Sequence, residues 1–204
     1  MTGQSFQRRD IMELVQVLKE RRTVRKFLQK MIPDEELRHL IDMGRLASSG
    51  ANSQRLRYVV IRTPELVGKI FPLTAWAASV TPRRIPVPGV TSPVAFIAVT
   101  AAAELAEDPV VQTDCGAAVQ TIQLAAWEKG IGCCWMGAID REKIHALLEL
   151  PQETAVLYLI ALGYAAERPV SEDSDDAGKI KYYLDQNDQL HVPKLSVEVL
   201  TQWK

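Results

Sequence analysis

The residues best suited to chemistry in this sequence lie in two short segments. The basic segment, residues 21–25 (RRTVR), brings three guanidinium groups and a hydroxyl within five positions, and guanidinium groups pair with phosphate oxygens in a bidentate manner. The glycine segment, residues 130–137 (GIGCCWMG), is interrupted by glycines, which let backbone amides come close to a flat ligand. Together they indicate a site for a flat ligand that carries a phosphate or another oxyanion.

A third segment, residues 47–54 (ASSGANSQ), is small, polar and rich in hydrogen-bond donors and acceptors. We call it the serine segment, and its hydroxyls and amides suit the hydroxyl groups of a cofactor. The same composition is also typical of a helix C-terminus followed by a turn. In the same way, a basic run is typical of a solvated helix face, so the residues alone leave both interpretations open.

The elements that position these segments follow from the apolar periodicity. Asp10 is suited to cap a first helix that ends near Arg22. Its apolar face consists of Ile11, Leu14, Val15 and Leu18. The basic segment therefore begins where a helix ends, and there consecutive arginines can diverge toward one ligand.

The rest of the chain alternates between helical and strand patterns. Further helices are predicted after Pro33, over residues 108–129 with Gly130 at its end, and from Asp140 to Leu150; strands are predicted over Arg57–Ile61, 93–100 and 155–162. The proline-rich stretch 71–92 is predicted to be a long loop, and residues 169–204 are predicted to form a C-terminal tail. This pattern predicts a layered α+β domain with about four short strands.

Composition and charge narrow the class of protein. The chain has 204 residues, of which 47% are hydrophobic and 24% charged, as in an ordinary soluble domain. A net charge of −1 gives no general attraction for nucleic acid or for an anionic membrane. The first residues, MTGQSFQRRD, lack the apolar region of a secretory signal. We therefore expect a cytoplasmic protein with no nucleic-acid or membrane partner.

The cysteines and histidines do not have the spacing of metal ligands. Cys133 and Cys134 are adjacent, and Cys115 is the third cysteine. Adjacent cysteines rarely form a relaxed disulfide. We expect reduced, buried thiols and no metal site.

The order of the pieces carries more information than any one of them. RRTVRKF, ASSGANSQ, EKGIGCCWMGAIDREKI and LYLIALGYAAE follow one another in this chain, and together they resemble the nitroreductase family of FMN-dependent oxidoreductases. The resemblance runs from about residue 18 to 168 and resumes at VPKLSVEVL. It implies a single domain over 1–204, with a three-layer α/β/α fold and a central, mainly antiparallel sheet of four to five strands.

The resemblance also assigns residues to an FMN site. Arg21, Arg22 and Thr23 would hold the phosphate and ribityl chain, Lys194 would close on the phosphate, and Arg25 would approach the pyrimidine edge of the flavin. Four residues would come from the partner subunit, namely Ser48, Ser49, Asn52 and Gln54. Four would run along the ring: Cys134, Trp135, Met136 and Gly137, with the Met136 and Gly137 amides directed toward N5 and O4.

The implied activity is a ping-pong cycle in a homodimer. NADH or NADPH would be the co-substrate, and a flat small molecule such as a nitroaromatic or a quinone would be the acceptor. No catalytic side chain is assigned, because the cofactor carries the chemistry. Loop 71–92 would lie near the active-site entrance, with Trp76 either lining it or packing in the core, and residues 169–204 would wrap the partner.

Three departures from the family pattern leave alternatives open. Arg55-Leu56 replaces Pro-Trp, Ser48 replaces a proline, and Ala165 replaces the proline of Leu-Gly-Tyr-Pro. If these changes close the substrate face, the chain would be a flavin carrier or sensor without turnover. A flavin-remodelling or dehalogenating relative is the other alternative.

Overall fold

A computed structural model describes residues 13–77, 80 and 83–204. The predicted cap Asp10 and the apolar Ile11 lie outside the described residues. The helices are α1 (Leu14–Glu20), α2 (Asp34–Gly44), α3 (Pro64–Ile70), α4 (Pro109–Glu128), α5 (Arg141–Leu147) and α6 (Val197–Leu200). The strands are β1 (Phe27–Leu28), β2 (Arg57–Ile61), β3 (Ala95–Ala102), β4 (Ile131–Met136), β5 (Thr154–Ala165), β6 (Val170–Ser174), β7 (Tyr183–Leu184) and β8 (Leu190–Leu195).

The main sheet is built around β5, as the continuous apolar run at 155–162 predicted. Leu162 pairs with Ala95 of β3 on one side and with Cys133 of β4 on the other. β1 continues the β3 side of β5, β2 pairs with the outer edge of β3, and every pairing is antiparallel. The predicted α+β class and the mainly antiparallel sheet of four to five strands are confirmed.

Helices cover both faces of this sheet. α2 and α4 supply one core layer, whose members include Leu37, Leu40, Cys115, Val119 and Ile122. α1, α3 and α5 supply the opposite layer through Val17, Val67, Ile70 and Ile144. The two layers with the sheet between them form the expected α/β/α arrangement.

The central helix α4 agrees with its prediction at both ends. The Asp108 side chain accepts hydrogen bonds from the amides of Val110 and Val111, as an N-cap does. Gly130 follows the C-terminal end with φ at +71°, a conformation that glycine adopts without steric cost. Gly44 of α2 lies so close to α4 that a Cβ there would stand 2.7 Å from Ile122, and this contact brings the serine segment up to α4.

Two regions differ from the predictions. In α1 the buried residue is Val17, whereas Leu14, Val15 and Leu18 of the predicted core face are exposed. Periodicity identifies an apolar face but not the surface that covers it, which explains the error. α3 was not predicted, because its seven residues are too few to show a clear period.

The C-terminal tail contains more regular structure than the sequence indicated. β6 pairs parallel with β8, and β7 pairs antiparallel with β8, which makes a small three-stranded sheet that carries Lys194. Within the part of the chain that the structure describes, no helix has the length and apolar character to cross a membrane.

Candidate functional site

The basic segment and the glycine segment lie side by side. α1 ends at Glu20, and Arg21 is already extended, with φ −60° and ψ 119°. The amide of Val24 donates to the carbonyl oxygen of Cys133 at 3.0 Å. A Cβ on Gly132 would stand 2.7 Å from the Val24 side chain, so this close approach requires glycine. The two chemistry-bearing segments therefore meet along β4.

Three cations come together beside this contact. We call Arg21, Arg22 and Lys194 the cation cluster. Burial is the largest cause that lowers the pKa of each of them; the positive charge of Arg22 lowers the pKa of Arg21 further, and both arginines lower the pKa of Lys194. Neighbouring like charges of this kind destabilise one another, so the cluster favours an anion.

The described part of the chain supplies no anion to this cluster. Among the described residues, none of the three cations forms an ion pair with a carboxylate, and the Nε atom of Arg22 is buried without a hydrogen-bond partner. A buried donor without a partner is costly. A ligand phosphate would satisfy both the charge and this donor, and Thr23, half-buried in the same segment, adds a hydroxyl.

Arg25 lies further along the same segment and is held at both ends. Its backbone amide donates to Oε1 of Glu167 at 2.6 Å. Its guanidinium carbon stands 5.3 Å from the ring centroid of Tyr182, within the range of a cation–π contact. Neither Glu167 nor Tyr182 was singled out from the sequence, because nothing in the local pattern connects them to Arg25.

The glycine segment presents backbone and one aromatic ring. The side chains of Cys134 and Met136 are buried in the core, so only their backbone can face a ligand. Burial raises the pKa of the Cys134 thiol to about 11, which keeps it neutral and makes it a poor nucleophile. Trp135 is 40% exposed and packs edge-on against Tyr158, and Gly137 is exposed.

The serine segment forms a separate cluster at the start of α4. The amide of Gly50 donates to Oδ1 of the buried Asp114 at 2.9 Å. Ala51, Asn52 and Gln54 all have positive φ, at 51°, 53° and 47°. Such a run of strained non-glycine residues is uncommon outside functional sites.

Ser48, Ser49, Asn52 and Gln54 thus stay together in one chain. The side-chain Nε2 of Gln54 donates to Oδ1 of Asn52 at 3.2 Å. The backbone amide of Gln54 donates to Oγ of Ser49 at 3.4 Å. Among the described residues, no hydrogen bond or ion pair joins this segment to the cation cluster.

Arg55 and Leu56, which stand where the family pattern has Pro-Trp, each have a local contact in this chain. Arg55 pairs with Asp108, the N-cap of α4, at 3.5 Å, and Leu56 packs against the core. Trp76 is buried and packs against Phe27 and Phe71. Of the two alternatives for this residue, core packing or lining the active-site entrance, the structure therefore shows core packing.

Arg84, in the predicted entrance loop, belongs to a closed network that we call the ion-pair ring. It binds Oε2 of Glu167 through Nε at 2.6 Å and Oδ1 of Asp188 through Nη1 at 2.7 Å. Lys26 closes the ring, since its Nζ binds Oδ2 of Asp188 at 2.8 Å and its amide donates to Glu167 at 3.1 Å. Because the Arg84 and Glu167 side chains are only 5% and 7% exposed, Arg84 is not free to bind a substrate.

Comparison with known proteins agrees with this geometry. The family model of the Nitroreductase family matches residues 18–164. A protein of Methanothermobacter thermautotrophicus, named "Putative NADH dehydrogenase/NAD(P)H nitroreductase", is 30% identical over 174 residues, which cover 83% of this chain and 86% of that protein.

Two solved structures are similar to this chain. A nitroreductase family protein from Clostridium novyi NT has a TM-score of 0.64 and 26% identity, covering 76% of this chain and 86% of its own. An FMN-dependent nitroreductase from Clostridium difficile R20291 has a TM-score of 0.60 and 23% identity, covering 76% and 90%.

Proposed function

The chain belongs to the nitroreductase family, and on that premise we propose that it is an FMN-dependent oxidoreductase that oxidises NADH or NADPH and reduces a flat acceptor such as a nitroaromatic or a quinone. The relative named as an NAD(P)H nitroreductase supports the co-substrate, and the neighbour described as FMN-dependent supports the cofactor. The observation that carries the proposal is the cation cluster, whose charges have no carboxylate partner among the described residues.

The residues present suit FMN at its anionic end. Arg21, Arg22 and Lys194 would hold the phosphate, because guanidinium and ammonium groups bind phosphate oxygens by charge-assisted hydrogen bonds. Thr23 would bind the ribityl chain. The buried, unpartnered Nε of Arg22 is the donor that a phosphate oxygen would satisfy.

The remaining site residues would act on the flavin ring. When bound, FMN would supply the redox chemistry that links the nicotinamide to the acceptor. Arg25 would stabilise negative charge at the pyrimidine edge, and the amides of Met136 and Gly137 would bind the ring from β4. No side chain is assigned a proton-transfer role.

We further propose that the enzyme is a homodimer in which the serine segment of one chain borders the flavin of the other. Within one chain, no hydrogen bond or ion pair among the described residues joins that segment to the cation cluster, which supports this arrangement. So does the exposure of apolar residues on α1 and in the tail, where Leu14 is 65% exposed and Trp203 87%. A tail that wraps the partner would cover Trp203, and obligate interfaces of this kind are largely apolar.

Steady-state kinetics with the purified protein test the proposal. The expected result is a flavin absorbance spectrum, release of FMN on heating, and oxidation of NADH or NADPH with a quinone acceptor in a ping-pong pattern. A dimer is expected by light scattering. Fast reduction by NAD(P)H with no acceptor turnover would favour a flavin-binding module instead, and a colourless monomer that does not bind added FMN would overturn the proposal.

A further inference from the structure

Arg25 lies within residues 18–164, which the family model matches. Two residues that lie beyond this range, Glu167 and Tyr182, contact it. Glu167 lies just past the end of β5, and Tyr182 lies immediately before β7. Both contact Arg25, one at the backbone and one at the side chain. The C-terminal part of this chain therefore reaches the position that the proposed function places beside the flavin ring.

Glu167 fixes the backbone of the basic segment. Its Oε1 accepts two consecutive amides, from Arg25 at 2.6 Å and from Lys26 at 3.1 Å. Its Oε2 accepts Nε of Arg84 at 2.6 Å. A nearly buried carboxylate with two amide donors on one oxygen and a charged donor on the other has little freedom to move, so the chain direction at Arg25 is set by Glu167.

Tyr182 fixes the other end of Arg25. The guanidinium lies over the face of its ring, where the aromatic quadrupole attracts a cation without neutralising it. Among the described residues, Arg25 has no ion pair with a carboxylate. The ring thus holds the guanidinium in place and leaves its full charge available to a ligand.

We propose that Glu167 and Tyr182 are positioning residues for Arg25, through which the C-terminal region of this chain sets the positive charge beside the flavin and so the flavin's reduction potential. This inference rests on the proposed function. A cation held near the ring favours the reduced flavin, which carries more negative charge than the oxidised form. Releasing Arg25 would lower that preference and make the potential more negative.

The test is the midpoint potential of bound FMN in single variants, measured by spectroelectrochemistry. Tyr182→Leu removes the ring, whereas Tyr182→Phe keeps it. Tyr183→Leu is the matched control, because Tyr183 stacks on His191 in the same small sheet and a loosened sheet would affect both. We expect the leucine variant at 182 to lose about tenfold in its preference for reduced over oxidised FMN, which is about 30 mV for a two-electron couple, and the other two variants to retain the wild-type potential.

A thermodynamic cycle makes the test specific to Arg25. In an Arg25→Ala background, Tyr182→Leu should cause no further shift. Glu167→Gln replaces one of the two acceptor oxygens with an NH2 group, so the side chain cannot accept from both the Arg25 amide and Arg84; it loosens Arg25 and should shift the potential in the same direction. An unchanged potential in Tyr182→Leu, or an equal shift in Tyr183→Leu, overturns the inference while FMN-loaded wild type upholds the proposed function. A wild-type chain that binds no FMN overturns both.

Discussion

The cation cluster and the ion-pair ring use the same kinds of side chain in opposite ways. In the ring, Arg84 is nearly buried, and both of its carboxylate partners lie within 2.7 Å of its nitrogens. In the cluster, Arg21 and Arg22 are adjacent in sequence; burial lowers the pKa of both, the charge of Arg22 lowers that of Arg21 further, and Arg22 keeps a buried Nε without a partner. Lys26 of the ring is only a few residues from Arg22, so sequence position does not separate the two groups.

The difference distinguishes structural charges from functional ones. Buried charges that are fully paired stabilise one fold, and removing one partner leaves the other uncompensated. Partly buried like charges that lie together without carboxylate partners cost stability in the free protein, and a bound anion offsets that cost. A substitution in the ring should therefore change folding, and one in the cluster should change FMN binding.

The largest effect is expected from Arg84→Met. It leaves the nearly buried Glu167 carboxylate without its cation, and breaking a buried pair in this way costs about 3–5 kcal/mol of unfolding free energy. Denaturant unfolding of the flavin-free protein measures it. Lys69→Met is the matched control, since its pair with Glu65 is exposed to solvent and such surface pairs contribute little to stability. Equal losses in the two variants would contradict a structural role for the ring.

The next effect is expected from Arg21→Ala, in the cluster. Losing a charge-assisted contact to the phosphate should weaken FMN binding by about 1.5–3 kcal/mol, while the unfolding free energy of the flavin-free protein should stay level or rise, because repulsion by Arg22 is relieved. Flavin fluorescence quenching and chemical denaturation measure the two quantities. Arg38→Ala on the exposed face of α2 is the control and should change neither; an unchanged affinity in Arg21→Ala would remove this residue from the site.

A smaller, pH-dependent effect is expected from Lys194→Gln. Burial and the two arginines lower the pKa of Lys194, so its charge is complete below that lowered pKa and is lost as the pH rises through it. Wild-type FMN affinity should therefore fall on the alkaline side of neutrality, at lower pH than for an ordinary lysine. Because Lys194 is only partly withdrawn from solvent and most of the residue is exposed, solvent screening limits the loss at neutral pH to about 1 kcal/mol. Parallel affinity profiles for wild type and Lys194→Gln would contradict the assignment.

The smallest effect on the unfolding free energy is expected from Asp188→Asn, because Asp188 is the most exposed member of the ion-pair ring. Contacts with Arg84 and Lys26 lower the pKa of Asp188 from 3.8 to about 2. Its stabilising contribution is therefore complete above pH 3.8 and is lost as the pH falls toward 2. The difference in unfolding free energy between wild type and Asp188→Asn should be present at pH 5 and should shrink below pH 4; a difference that grows in acid would contradict the pairing.

The sequence predicted what depends on local pattern. Strand Arg57–Ile61, α4 with Gly130 at its end, and the central apolar strand follow from periodicity and end signals that lie in or next to each element. The place of Lys194 beside Arg21 could not be predicted in this way, since it depends on the small sheet formed by β6, β7 and β8. Nor could the contacts of Tyr182 and Glu167 with Arg25, which join distant parts of the chain.

The residue types of the basic segment indicated an oxyanion site. They did not reveal which of the neighbouring cations would form ion pairs with carboxylates of this chain. Lys26 follows the segment directly and belongs to the ring, whereas Arg22 belongs to the cluster. That division is decided by where the carboxylates of Glu167 and Asp188 come to lie in the folded chain. Tertiary structure, not composition, separates them.

Calorimetric titration of the flavin-free protein with FMN and with riboflavin tests the central claim most directly, because the two ligands differ only by the phosphate. We expect wild type to bind FMN much more tightly than riboflavin, and Arg21→Ala to remove most of this difference by weakening the binding of FMN alone. Equal affinity of wild type for both ligands, or a preference for FMN that survives in Arg21→Ala and Lys194→Gln together, would contradict it.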